Sequence, residues 1–257
     1  MYNNIITFSK EGFMKFILIL LITIFFSSNI FAYDIKEGLH EIERQNYDKA
    51  FEIFSKACEY QNGNGCYNLA VMYDGQQGIK KDYLKAYELY KKACNLGITN
   101  ACYNLAVIYD QGKGVKRDLA EAARLYELSC DEKNINGCFN IGVMYDKGEG
   151  VEQNFTKAIS FYKITCEEGV PYGCYNLGIK YAKGEGVKED YSKAAKNYKI
   201  ACDSGIFNAC YNLGIMYAYG KGVEQDRVLA KELFKKSCTD EYTKGCRNYK
   251  ILEEKGY

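Results

Sequence analysis

Twelve cysteines in a chain of 257 residues fall at 58/66, 94/102, 130/138, 166/174, 202/210 and 238/246, each pair eight residues apart and each repeating the last after 36. Two chemistries suit such pairs, disulfide bonding and Zn2+ ligation. The C-x7-C spacing matches no common zinc finger, and His40 is the only histidine, so a metal site lacks its usual ligand set. A strict repeat makes bonding within each pair the one solution that is both local and identical in every unit. The expected bonds are Cys58 to Cys66, Cys94 to Cys102, Cys130 to Cys138, Cys166 to Cys174, Cys202 to Cys210 and Cys238 to Cys246. No metal or cofactor is implied.

A second column is polar. Two residues after each second cysteine stands an asparagine: Asn68, Asn104, Asn140, Asn176, Asn212 and Asn248. In a structural reading the amides bond to backbone or to the next repeat and hold register. In a functional reading they form a ladder along a concave surface, each offering donors and an acceptor to the main chain of an extended peptide. Met72, Ile108, Met144 and Met216 would then supply an adaptable apolar floor.

A third candidate is Ser160-Phe161-Tyr162-Lys163, which matches the S-x-x-K nucleophile motif of serine β-lactamases. Ser160 shares its column with Glu52, Glu88, Arg124, Lys196 and Glu232, a solvent-facing column, and no S-D-N or K-T-G run accompanies it. His40 stands alone, without the partners of Ser/His or Cys/His chemistry.

The elements that must position these columns follow from the period, since repeats of 20 to 50 residues mark arrays of stacked units. In each unit the segment ending at the first cysteine, as in DYLKAYELYKKAC, carries apolar or small residues at i, i+3, i+4 and i+7, one face of an α-helix. These A helices open on Asn46, Asp82, Asp118, Asn154, Asp190 and Asp226, side chains that can cap a first turn. Gly97, Gly169 and Gly205 suit left-handed C-terminal caps. The second, or B, helix, as in GCYNLAVMYD, presents a small residue (Ala70, Ala106, Gly142, Gly178, Gly214) where another helix must come close, and ends in a Gly-x-Gly-Val turn. Six hairpins, with a covering helix around 34–44, make an all-α fold: an α-solenoid of six disulfide-stapled helix-turn-helix repeats over 33–257.

Residues 16–26, FILILLITIFF, follow Lys15 and precede SSNIFA. They read as the apolar core of a signal peptide over 1–32, too short to span a bilayer, with Met14 as the better start. Its removal leaves equal numbers of basic and acidic residues, against Lys+Arg 34 and Asp+Glu 33 in the whole chain. That balance argues against a nucleic-acid binder. The expected location is secreted or periplasmic, where disulfides persist.

The pattern KAxxxYxxAC…G-CYNLGxMYxxGxGV…D, present over 34–257, resembles the Sel1-like repeat, a relative of the tetratricopeptide repeat. With its cysteine pair it is similar to the Helicobacter cysteine-rich protein family. The first resemblance implies that the B helices line the concave groove and contribute asparagines to peptide clamps. The second implies penicillin binding and weak β-lactamase activity, with a β-lactam or cell-wall peptide as ligand. The departures are Tyr or Phe where many such units carry Trp, Gln76 in place of a turn glycine, Asn197 in a column otherwise Leu, Ile or Phe, and Lys250 where helix B should be small. The expectation is a monomeric, exported binder of an extended peptide or protein partner, with the weak β-lactamase as the alternative.

Overall fold

The computed structural model of the protein describes residues 35–76, 78–239 and 243–257; the expected signal segment lies outside them. The described chain is helical, with no strand among those residues. After a first helix, α1 (35–43), come the A helices α2 (Tyr47–Glu59), α4 (Tyr83–Asn95), α6 (Leu119–Asp131), α8 (Phe155–Glu167), α10 (Tyr191–Asp203) and α12 (Arg227–Lys236). They alternate with the B helices α3 (Gly63–Val71), α5 (Thr99–Gln111), α7 (Ile135–Lys147), α9 (Pro171–Lys183), α11 (Phe207–Tyr219) and α13 (Thr243–Glu254). The chain forms two compact units. One runs to Ala101 and includes Lys113–Val115; the other comprises Cys102–Gly112 and Lys116–Tyr257.

In the first unit α3 packs on α2 and α4. In the second, each helix from α7 to α12 packs on the helices before and after it in sequence, the packing order of an α-solenoid. Contacts of this kind are local, so each hairpin buries its apolar stripe only against its neighbours.

The caps act as expected with one exception. Asp82, Asp118, Asn154, Asp190 and Asp226 accept hydrogen bonds from the backbone N–H groups of Lys85, Glu121, Lys157, Lys193 and Leu229. Asn46 makes no such bond. Its Nδ2 donates instead to Glu41 Oε2 at 2.9 Å, tying α1 to α2.

The small-residue column explains itself in packing terms. Tyr90, Tyr126, Tyr162 and Tyr198, with Phe54 and Phe234 in the same column of helix A, are buried. A Cβ placed on Gly178 would lie 2.7 Å from the Tyr198 ring, and one on Gly214 would lie 2.8 Å from the Phe234 ring. The large residue of one A helix thus fills the notch left by a small residue on the B helix before it. The departure at Gln76 also has a consequence: α3 ends at Val71 in a π-helical turn, Met72–Gln76, and Gly75 takes up the left-handed backbone at φ 86.

All the cysteines are in disulfides. Cys58–Cys66, Cys130–Cys138, Cys166–Cys174, Cys202–Cys210 and Cys238–Cys246 are bonded with Cα separations of 4.5–4.6 Å, as the short turn between helices A and B requires. Cys94 and Cys102 are disulfide-bonded as well, leaving no free cysteine.

Candidate binding face

Asn104, Asn140, Asn176, Asn212 and Asn248 of the second unit are half-buried, as is Asn68 of the first. Asn68 donates from Nδ2 to the carbonyl of Asn64 at 2.8 Å. In the second unit the amides of Asn140, Asn176, Asn212 and Asn248 meet tyrosine hydroxyls. Asn140 lies within reach of Tyr126, Asn176 of Tyr162, and Asn212 of both Tyr175 and Tyr198. Asn248 Nδ2 donates to the Tyr211 hydroxyl at 3.5 Å.

Each of two of these tyrosines is also held from the other side by an aspartate on the preceding B helix. The Tyr126 hydroxyl donates to Asp110 Oδ2 at 3.4 Å, and that of Tyr162 to Asp146 Oδ2 at 3.1 Å. Burial, reinforced by the neighbouring carboxylate, pushes both hydroxyls far above the ordinary phenol range. They therefore remain protonated and act as donors to the aspartates. A tyrosine rooted in helix A thus reaches between two B helices and joins an Asp of one to an Asn of the next.

The expected apolar floor requires correction. Met72, Ile108, Met144 and Met216 are core residues, at 0%, 2%, 4% and 4% exposure, and offer no surface to a partner. A B helix such as α7 or α9 packs on two A helices, so its buried arc is wider than the stripe of a one-sided amphipathic helix and takes in this column. The apolar residues that share the asparagine line are Val107, Val143, Ile179 and Ile215, all half-buried. Beside them run Tyr103, Phe139, Tyr175 and Tyr211, also half-buried. Their rings tilt against Tyr126, Tyr162, Tyr198 and Phe234, with centroids 5.6–6.3 Å apart.

The buried column contains one residue whose role the pattern did not reveal. Lys180 stands where the other units carry Met, Ile or Leu, and its side chain is 6% exposed. Its Nζ donates to Asp146 and, at 2.7 Å, to Glu185 Oε2, and lies 4.6 Å from the centroid of the Phe155 ring. The ammonium group is thereby satisfied by two carboxylates and a ring face.

Ser160 and Lys163 are exposed on α8. The Ser160 hydroxyl donates to the carbonyl of Lys157 at 2.7 Å, a local backbone contact rather than one with Lys163. His40, exposed on α1, lies 3.4 Å from Glu43 Oε2.

The sequence matches the Sel1 repeat model six times, over residues 36–59, 63–98, 99–134, 135–170, 171–206 and 208–241. Among solved structures, c5321, a protective antigen present in uropathogenic Escherichia coli strains and displaying an SLR fold, is 28% identical with a TM-score of 0.83. The match covers 88% of this chain and 49% of that one, so the chain spans about half the length of this relative. A Sel1 repeat protein from Oxalobacter formigenes shares the fold at 24% identity and a TM-score of 0.75, over 79% of this chain and 84% of that one. Helicobacter pylori cysteine rich protein B is 31% identical over 49% of this chain and 91% of its own, with a TM-score of 0.40. No protein with a curated description matches the chain.

Proposed function

The chain belongs to the Sel1 repeat family, whose members mediate protein interactions, and from that premise we propose that its B-helix face binds an extended segment of a partner protein. The observation that carries this reading is the coincidence, on one line of each of α5, α7, α9 and α11, of a half-buried asparagine with a half-buried Val or Ile. A primary amide has two N–H donors and a carbonyl with two lone pairs. The tyrosine contact uses part of that capacity and fixes the orientation of the rest, leaving hydrogen-bonding groups preorganised for a peptide main chain. Val143, Ile179 and Ile215 would receive apolar side chains, and the neighbouring rings would supply flat contact area.

The disulfide bonding of all the cysteines supports a location outside the reducing cytosol, in the periplasm or beyond it. Among the described residues no helix is long and apolar enough to cross a membrane.

The reading is tested by selecting peptides from a display library against the oxidised chain and mapping hydrogen-exchange protection in the complex. Protection concentrated on α7, α9 and α11 is expected. Protection confined to the A helices would place the binding surface elsewhere and overturn the reading.

A further inference from the structure

The six staples are not alike. In α2, α4, α6, α8 and α10 the first cysteine is the second-last residue of a 13-residue helix. Helix α12 stops at Lys236 after 10 residues, so Cys238 lies beyond the helix and past its cap, Ser237. Cys238 is exposed and Cys246 half-buried. Every other pair keeps at least one buried member: Cys58 and Cys66, Cys102, Cys130 and Cys138, Cys174, and Cys202 and Cys210.

The sulfur environment differs in the same sense. Sγ of Cys66, Cys138, Cys174 and Cys210 lies 3.6–3.7 Å from the carbonyl oxygen of its own bonded cysteine. Cys246 Sγ instead faces the carbonyl of Thr239 at 4.0 Å.

We infer that Cys238–Cys246 is a thiol-exchange site, at which a small soluble thiol forms a mixed disulfide on Cys238. Displacement at a disulfide requires a thiolate to reach one sulfur from the side opposite the leaving sulfur, and Cys238 is the accessible member. Cys246 is the fourth residue of α13, within the first turn, where free N–H groups favour negative charge and make it the better leaving group. The incoming thiolate forms its bond to Cys238 Sγ, the Cys238–Cys246 bond breaks, and the electron pair remains on Cys246 as a thiolate. One thiolate is consumed and one is produced, so no external oxidant enters the step. The flanking sequence favours an anionic thiol: Lys235, Lys236, Lys244 and Arg247 outnumber Asp240 and Glu241. Exchange would unstaple only the last hairpin, leaving the other disulfides in place.

The test uses the oxidised full chain incubated with glutathione at neutral pH, followed by alkylation of free thiols and peptide mass spectrometry of every cysteine. The expected result is glutathione on Cys238 and alkylated Cys246, at least about tenfold faster than reaction at any other pair, since buried pairs must first open locally. Another pair reacting first, all pairs reacting at one rate, an adduct on Cys246, or no adduct on the folded chain would each overturn the assignment. A chain carrying both Cys238→Ser and Cys246→Ser should lose the fast phase while the other bonds stay oxidised. Persistence of the fast phase in that variant would place the reactive disulfide elsewhere.

Discussion

Single residues on the B-helix face act in linked sets of Asp, Tyr and Asn, and Lys180 extends one of them. Asp146 accepts from both Tyr162 and Lys180, while the Tyr162 hydroxyl also lies within reach of Asn176. Removing one partner of a fully buried ion pair leaves the other charge uncompensated, but the Asp146 and Glu185 side chains are 20% and 31% exposed and can be hydrated once the ammonium is gone. Lys180→Met, which restores the residue found at 72, 144 and 216, should therefore leave unfolding free energy within about 1 kcal/mol of the parent, and Lys180→Ala should cost about 2–3 kcal/mol, both read by urea denaturation. The hydrogen bond from Lys180 holds the Glu185 carboxyl below its ordinary value of 4.5. Stability from that contact is complete above the ordinary value and is lost as pH falls through the lowered folded value. Acid titration of stability should thus be shallower in Lys180→Met than in the parent in the range below 4.5; identical acid profiles would refute a role for the contact. The asparagines were legible as a column because a polar residue recurs without exception. The tyrosines beside Asn140 and Asn176 were not, because their hydroxyls come from A helices some 14 residues away in the chain, a distance that no local periodicity reports.

Between helices A and B of the first five hairpins the turns come in two forms that use different residues for the same path. At Gly97, Gly169 and Gly205 the chain enters the left-handed region with φ of 81–91°, and Ile98, Val170 and Ile206 follow. At Gln61 and Lys133 the same conformation, φ 64 and 66, is imposed on residues that have a Cβ. There Asn62 and Asn134 follow and accept the backbone N–H of Gly65 and Gly137. The asparagine cap offsets the conformational cost of the non-glycine turn. Lys133→Gly should consequently raise stability by roughly 0.5–1 kcal/mol with Asn134 kept in place, seen as a higher urea midpoint; a lower midpoint would contradict this. The glycine turns and five of the six A-helix caps could be read from residue type alone. The Gln61 and Lys133 turns could not, since neither residue advertises a left-handed backbone. Asn46 has the right type for a cap, but its amide is taken by Glu41 of α1.

At the scale of the whole chain, the strict 36-residue period makes the hairpins and their staples legible in the sequence. The family match is framed half a repeat later, from 63 to 98 and onward, and so groups each B helix with the following A helix, the two elements joined by the glycine–tyrosine interlock. Covalent closure and noncovalent packing therefore bind different helix pairs, and each supplies what the other leaves loose. In the chain-entropy model each loop closed across a sequence separation of 8 contributes about 2.5 kcal/mol. Reduction of all the disulfides should lower the thermal midpoint by more than about 10 °C; an unchanged midpoint would contradict the stapling. The binding face depends on a different property, the outward capacity of the asparagines. Its most direct test is the affinity of a library-selected peptide for the chain carrying Asn140→Ala, Asn176→Ala and Asn212→Ala, with helicity checked by circular dichroism. Loss of roughly 1 kcal/mol for each of the replaced amides predicts a Kd weakened by about 100-fold in a chain that remains helical, whereas an unchanged Kd in that folded variant would show that the amide column serves packing alone.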